Sequence, residues 1–164
     1  MRNTPALRSL ALVGAIAALL MGLAGPASAQ AASTTRTGMV AALAGGPCGS
    51  SYSLVTHYGE HSQATGELNM YLDVYYSSTA KRNCLVTNHA GSAYGQVLDT
   101  LARIRPSGSS WPSCPSVGCD EGNYRYYAGP VYTPAGVDMS HRCVDVAGLV
   151  GIQTDRVLSG INCG

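Results

Sequence analysis

An all-β fold, an antiparallel β-sandwich or small β-barrel stabilised by disulfides, is what this 164-residue sequence predicts. Three observations carry the prediction. Short runs rich in Val, Tyr and Thr recur roughly every ten residues, with Gly, Pro, Ser and Asn between them, which is the rhythm of strands and turns in sandwiches and barrels. The six cysteines, Cys48, Cys84, Cys114, Cys119, Cys143 and Cys163, form an even set. The chain also opens with a leader of the export type, and export carries thiols to a compartment where disulfides persist.

The leader covers residues 1–29. Arg2 and Arg8 precede the apolar run Leu10–Ala24, and Pro26-Ala27-Ser28-Ala29 supplies a helix breaker and an A-x-A site. Cleavage is expected after Ala29. The apolar run is short for a span of about 20 residues, so no membrane association is expected after cleavage. Residues 30–47 are small and polar and read as a flexible lead-in. Residues 48–164 then suit one disulfide-bonded β-domain. From Gln30 onward, eight Lys/Arg face nine Asp/Glu. A charge this close to zero gives no electrostatic argument for nucleic acid or an anionic membrane as partner.

Taken in order, 51–58 reads as a first strand. Residues 66–76 alternate most clearly, with Leu68, Met70, Leu72, Val74 and Tyr76 on one face and Asn69, Tyr71, Asp73 and Tyr75 on the other. A polar turn over 77–83 leads into a return strand over 84–87. Residues 94–104 fit both a strand alternation and a helical stripe (Val97, Leu101, Ile104). The neighbouring strands favour strand. Residues 106–120 are punctuated by Pro, Ser and Gly and read as a loop. Tyr124, Tyr126 and Tyr127 lead through Gly129-Pro130 to Val131-Tyr132, and the chain returns as Cys143-Val144-Asp145-Val146. These two segments are expected to be adjacent strands, on the plan of the preceding hairpin. Short strands over 144–150 and 156–161 close the chain.

Six cysteines allow many pairings, and spacing alone does not choose among them. The set expected here is Cys48–Cys84, Cys114–Cys119 and Cys143–Cys163. It ties the start of the domain to a hairpin's return strand, closes a short loop, and ties another strand to the C-terminus. Loop-closure entropy assigns these about 3.8, about 2.2 and about 3.3 kcal/mol. A metal site is not expected, because Cys114 and Cys119 have four residues between them and no C-x-x-C occurs.

With these pieces in view, a resemblance emerges. CGSSY at 48–52, YLDVYYSS at 71–78 with NCLVT at 83–87, YRYYAGPVY at 124–132, and the terminal N-C-G are similar to the spore-associated protein A family of small secreted actinobacterial proteins. The likeness spans roughly 47–164, and YAGPVY is its most specific piece. Four core cysteines of the family correspond to Cys48, Cys84, Cys143 and Cys163. Two features depart from it: Val144-Asp145-Val146 follows Cys143 where the family tends to an aromatic and Gly-Gly, and Cys114–Cys119 is additional. The resemblance implies an extracellular or spore-surface location and supplies no reaction.

Catalytic chemistry has candidates but no frame. His57, His61, His89 and His141, with Asp73, Asp99, Asp120, Asp138 and Asp145, could serve a Ser/His/Asp hydrolase, yet no G-x-S-x-G elbow is present. His57 and His61 flank Gly59 and read as exposed turn histidines, and Glu60 with Glu67 as an acidic turn. No catalytic residue and no cofactor is therefore expected. Binding has better candidates. Tyr71, Tyr75, Tyr124 and Tyr126 are expected to place several rings on one sheet face, and such platforms stack on sugars or anchor partners. Trp111, the single Trp, lies in the loop closed by cysteines. There it can face a partner, act with the Trp111–Cys119 loop as a protease inhibitor, or fold back over the core. The function expected is a secreted, non-enzymatic structural or binding protein of the cell or spore surface. Its partner would be a cell-wall or spore-surface polymer or a secreted protein.

Overall fold

The computed structural model describes residues 46–164. The leader and all but the last two residues of the lead-in lie outside the described residues. Eight strands follow in order: β1 (Ser53–His61), β2 (Leu68–Ser77), β3 (Arg82–His89), β4 (Leu98–Pro106), β5 (Cys119–Tyr124), β6 (Tyr127–Tyr132), β7 (Val144–Val150) and β8 (Asp155–Ile161). The first sheet has the order β1-β2-β3-β6 and the second β5-β4-β7-β8. Every pairing is antiparallel, and the sheets pack as a sandwich rather than closing as a barrel.

Alternation decides which residues fill the space between the sheets. Met70, Leu72 and Val74 of β2 and Leu85 of β3 meet Ala102 and Ile104 of β4 and Val144 and Val146 of β7. The β2–β3 hairpin forms where the sequence places it, with Tyr75 opposite Cys84. The strand reading of 94–104 holds from Leu98 onward. Ala93 and Tyr94 instead belong to a tight turn, with Gly95 at φ +81° just after it.

Gly148 of β7 faces Leu72 and Thr87 of the first sheet with no room for a side chain. A Cβ there would overlap the Leu72 side chain and lie 2.9 Å from Thr87 Oγ1. A methyl group must push two buried side chains out of their places, and overpacking of this kind costs about 1–3 kcal/mol. Gly148→Ala is expected to lower the urea midpoint accordingly with the slope unchanged; an unaltered midpoint would show that the sheets separate freely at this point.

Two expectations need correction. The segments 127–132 and 143–146 are not adjacent strands. β6 pairs with β3, Tyr132 opposite Cys84, whereas β7 lies in the second sheet beside β4 and β8. The reason lies in the residues of β6. Pro130 offers no N–H and suits an edge strand, and Gly129 at φ +95° marks a ladder irregularity, where Leu85 and Thr87 face Val131 and Ala128. The link over 133–143 then carries the chain across the sandwich, so the hairpin plan is not repeated. The second correction is β5, which the sequence places partly in a loop. Its Asp, Glu, Gly and Asn are poor strand formers. Pairing to β4 holds it, and the Asp120 carboxylate accepts from the Gly129 N–H at 2.6 Å and the Tyr124 hydroxyl at 2.7 Å.

The cysteines pair as Cys48–Cys84, Cys114–Cys119 and Cys143–Cys163, the set the sequence reading favours.

Candidate binding groove

The outward face of the first sheet divides into two halves. One half is roofed by the segment that begins at Gly46. Cys48, Tyr52, Cys84 and Val86 form a second buried cluster there, with Tyr75 and Tyr132 packed against it. The Tyr132 hydroxyl donates to the Cys48 carbonyl at 3.2 Å. Tyr75 is thereby enclosed under residues 46–52 rather than offered to a partner.

The other half is open. Register places Gly59, Tyr71, Asn88 and Tyr127 in one row across all four strands. His57, Asp73 and Val86 form the next row. The absent side chain at Gly59 is used: a Cβ there would lie 2.9 Å from Leu68 and 3.3 Å from the Tyr71 ring, so only Gly lets both lean over β1. Above the rows stand Tyr94 and Tyr126, their ring centroids 5.1 Å apart. Paired backbone bonds hold that rim: the Gly95 N–H reaches the Arg125 carbonyl at 3.0 Å and the His89 N–H the Tyr126 carbonyl at 2.8 Å. The groove so formed measures about 600 Å³, within the usual range for small-ligand sites.

Its floor is polar. Asp73 is buried and accepts from His57 Nδ1 at 2.6 Å and from Asn88 Nδ2 at 2.8 Å. The His57 ring stacks on Tyr71 with centroids 4.2 Å apart. Burial pushes the Asp73 carboxyl above its ordinary range, and the bonds from His57 and Asn88 oppose that push. The walls are aromatic and exposed, with Tyr94 at 63% and Tyr126 at 49% of full exposure.

His89 lies beneath the groove with its ring turned into the sandwich. Its Nδ1 lies 3.2 Å from the Ala93 carbonyl and its Nε2 2.7 Å from the buried Thr100 hydroxyl, which itself donates to the Leu98 carbonyl at 2.9 Å. Burial lowers its pKa below the ordinary 6.5. A lowered value means that the unfolded chain takes up a proton that the native ring refuses. The stability tied to neutral His89 is therefore complete above pH 6.5 and is lost as pH falls through the lower native value. Urea midpoints should fall between pH 7 and pH 5 in the wild-type protein, and less steeply in His89→Gln. Parallel pH profiles would remove His89 as the cause.

The sequence-chosen residues are thus dispersed. Tyr71 and Tyr126 share the groove. Tyr124 does not: it ends β5 in the second sheet and packs against the main core. The chain bends at Arg125-Tyr126 and changes sheets there, so the three nearby tyrosines cannot share a face. Trp111 lies outside the groove, in the loop between β4 and β5. The Arg105 guanidinium lies 4.1 Å over its ring, and the loop is tied down where the Tyr132 N–H meets the Val117 carbonyl at 2.7 Å. His57 and Glu60 prove to be strand residues of β1, and Glu60 lies 3.6 Å from Arg156. Tyr94, Asn88 and Tyr127 were missed as site residues. Cross-strand register brings Asn88 and Tyr127 to Tyr71, and no local pattern reports it. No group of three His, Cys, Asp or Glu placed to hold a metal occurs among the described residues.

Comparison with known proteins finds Spore-associated protein A of Streptomyces coelicolor, 33% identical over 156 residues, which cover 95% of this chain and 86% of that protein. No family model matches the chain, and no solved structure matches it.

Proposed function

This chain belongs to the spore-associated protein A family, and on that premise we propose that it is a secreted, non-enzymatic binding protein of the outer cell or spore surface, attached through the tyrosine groove. The observation that carries this reading is the set of exposed rings, Tyr94, Tyr126 and Tyr127, held around buried Asp73 and its half-buried partner Asn88. Rigid aromatics bring contact area with little entropy to lose. The relative's name supports the location. Near-neutral charge makes apolar contact the main source of affinity, so retention should survive high salt.

The test is retention of labelled protein on washed spores and on vegetative hyphae. Tyr126→Ala should weaken retention on spores about tenfold, the effect of a lost aromatic anchor of roughly 1.4 kcal/mol. Its urea midpoint should stay put, because the ring is exposed. Equal retention of variant and wild type would exclude the groove as the attachment surface.

One observation favours a second reading. Pro115, Ser116 and Val117 are exposed within the Cys114–Cys119 ring, and Arg103 braces both sulfurs at 3.2 and 3.3 Å. A braced exposed loop is the shape of a protease inhibitor. That reading requires a stoichiometric complex with a serine protease that is lost when the loop is cut.

A further inference from the structure

We infer that the groove's ligand is a neutral polysaccharide, bound with its sugar rings against the tyrosines and its hydroxyls on Asp73 and Asn88; this rests on the groove being the attachment surface. Charge selects first. Among the described residues the lining contains no Lys or Arg, and its one carboxylate is Asp73. Arg125, beside the rim, directs Nη1 to the Gly95 carbonyl at 3.1 Å. Inside the lining a polyanion would therefore meet a carboxylate and no cation, the exposed Arg125 lying outside it. A cationic ligand fares little better, because Asp73 already accepts from His57 and Asn88.

Hydrogen-bonding capacity selects next. Each Asp73 oxygen accepts one internal bond and keeps acceptor capacity for another. Asn88 offers its Oδ1 as acceptor and a second N–H as donor. A buried acceptor beside a donor and an acceptor matches hydroxyl groups, which do both. The tyrosine faces match the C–H faces of pyranose rings, which are apolar and present slightly positive hydrogens to the negative face of an aromatic ring. Extent selects last. The row Tyr71–Asn88–Tyr127 crosses three strands, and the rim pair Tyr94–Tyr126 lengthens it. A groove of about 600 Å³ accepts a stretch of chain rather than a single ring.

The experiment is competition for wild-type protein bound to washed spores. Polysaccharide released from the same spores is separated by anion exchange into neutral and anionic fractions and added at equal sugar content. The neutral fraction should release the protein and the anionic fraction should leave it bound. Asn88→Ala should weaken binding to the neutral fraction about tenfold under conditions where the variant stays folded, its urea midpoint falling because the buried Asp73 loses a donor. Release by the anionic fraction, no release by the neutral fraction, or loss of retention after proteinase digestion of the spores would overturn the inference. If any of these occurs while Tyr126→Ala still lowers retention, the groove reading stands and only the ligand class is wrong. If Tyr126→Ala changes nothing, the groove reading fails and this inference fails with it.

Discussion

Replacing Cys48 and Cys84 together by Ala should lower the stability of the domain by about 4 kcal/mol, the largest loss expected from removing one disulfide. The bridge closes 36 residues of sequence separation, for which loop entropy gives about 3.8 kcal/mol. The 20-residue bridge Cys143–Cys163 gives about 3.3 kcal/mol and the 5-residue bridge Cys114–Cys119 about 2.2 kcal/mol. Context adds to the ranking. Cys84 is fully buried beside Val86 and Tyr52, and the bridge is what seats residues 46–52 over the outer face of the first sheet. Against a net stability of about 5–15 kcal/mol, a loss of this size brings a drop of about 15 °C in melting temperature. Equal losses from removing the three bridges one at a time would contradict the ranking.

Asp145→Ala is the second large effect. Asp145 points out of β7, yet it is 4% exposed. Its carboxylate accepts from Arg105 Nε of β4 at 2.9 Å, from the Ser107 hydroxyl at 2.7 Å and from the Gly160 N–H of β8 at 2.9 Å. Three segments of the second sheet thus converge on one side chain. Removing it leaves a half-buried guanidinium without its partner, and breaking a buried pair in this way costs about 3–5 kcal/mol. Arg105 also lies over the single Trp, so Trp111 fluorescence should change in the folded variant. Burial alone would raise the Asp145 pKa. The bonds from Ser107, Gly160 and Arg105 outweigh it and hold the carboxyl below its ordinary 3.8. A lowered native value means that its stabilisation is complete above pH 3.8 and fades as pH falls through that lower value. The gap between wild type and Asp145→Asn should therefore narrow in acid. A gap that stays constant with pH would show that the charge contributes nothing.

Asp145 also shows where sequence reading stops. It stands in the stretch that departs from the family pattern after Cys143, and the sequence offers it as one more candidate acid. Its role as a junction depends on Arg105 and Gly160, which are distant in sequence and adjacent only through the order β4-β7-β8. Local pattern did identify β2 and β3, because alternation and a polar turn fix a hairpin without help from elsewhere. It failed at β5, where pairing to β4 overrides weak propensity. It failed again at β6, where Tyr and Val fit either sheet and only Gly129-Pro130 hinted at an edge. The groove was half legible for the same reason. Tyr71 and Tyr126 could be chosen as exposed aromatics, but Tyr94 reaches Tyr126 across a crossover between sheets. Tyr75 and Tyr124, chosen on the same grounds, are covered by residues 46–52 and by the core.

The most direct test of the groove is hydrogen exchange of the protein, free and bound to surface material released from washed spores. The account predicts slowed exchange confined to 68–73, 88–96 and 125–128, the backbone of the groove and its rim. Protection over 106–118 instead, around Trp111 and the Cys114–Cys119 ring, would move the attachment surface to the other sheet and contradict it.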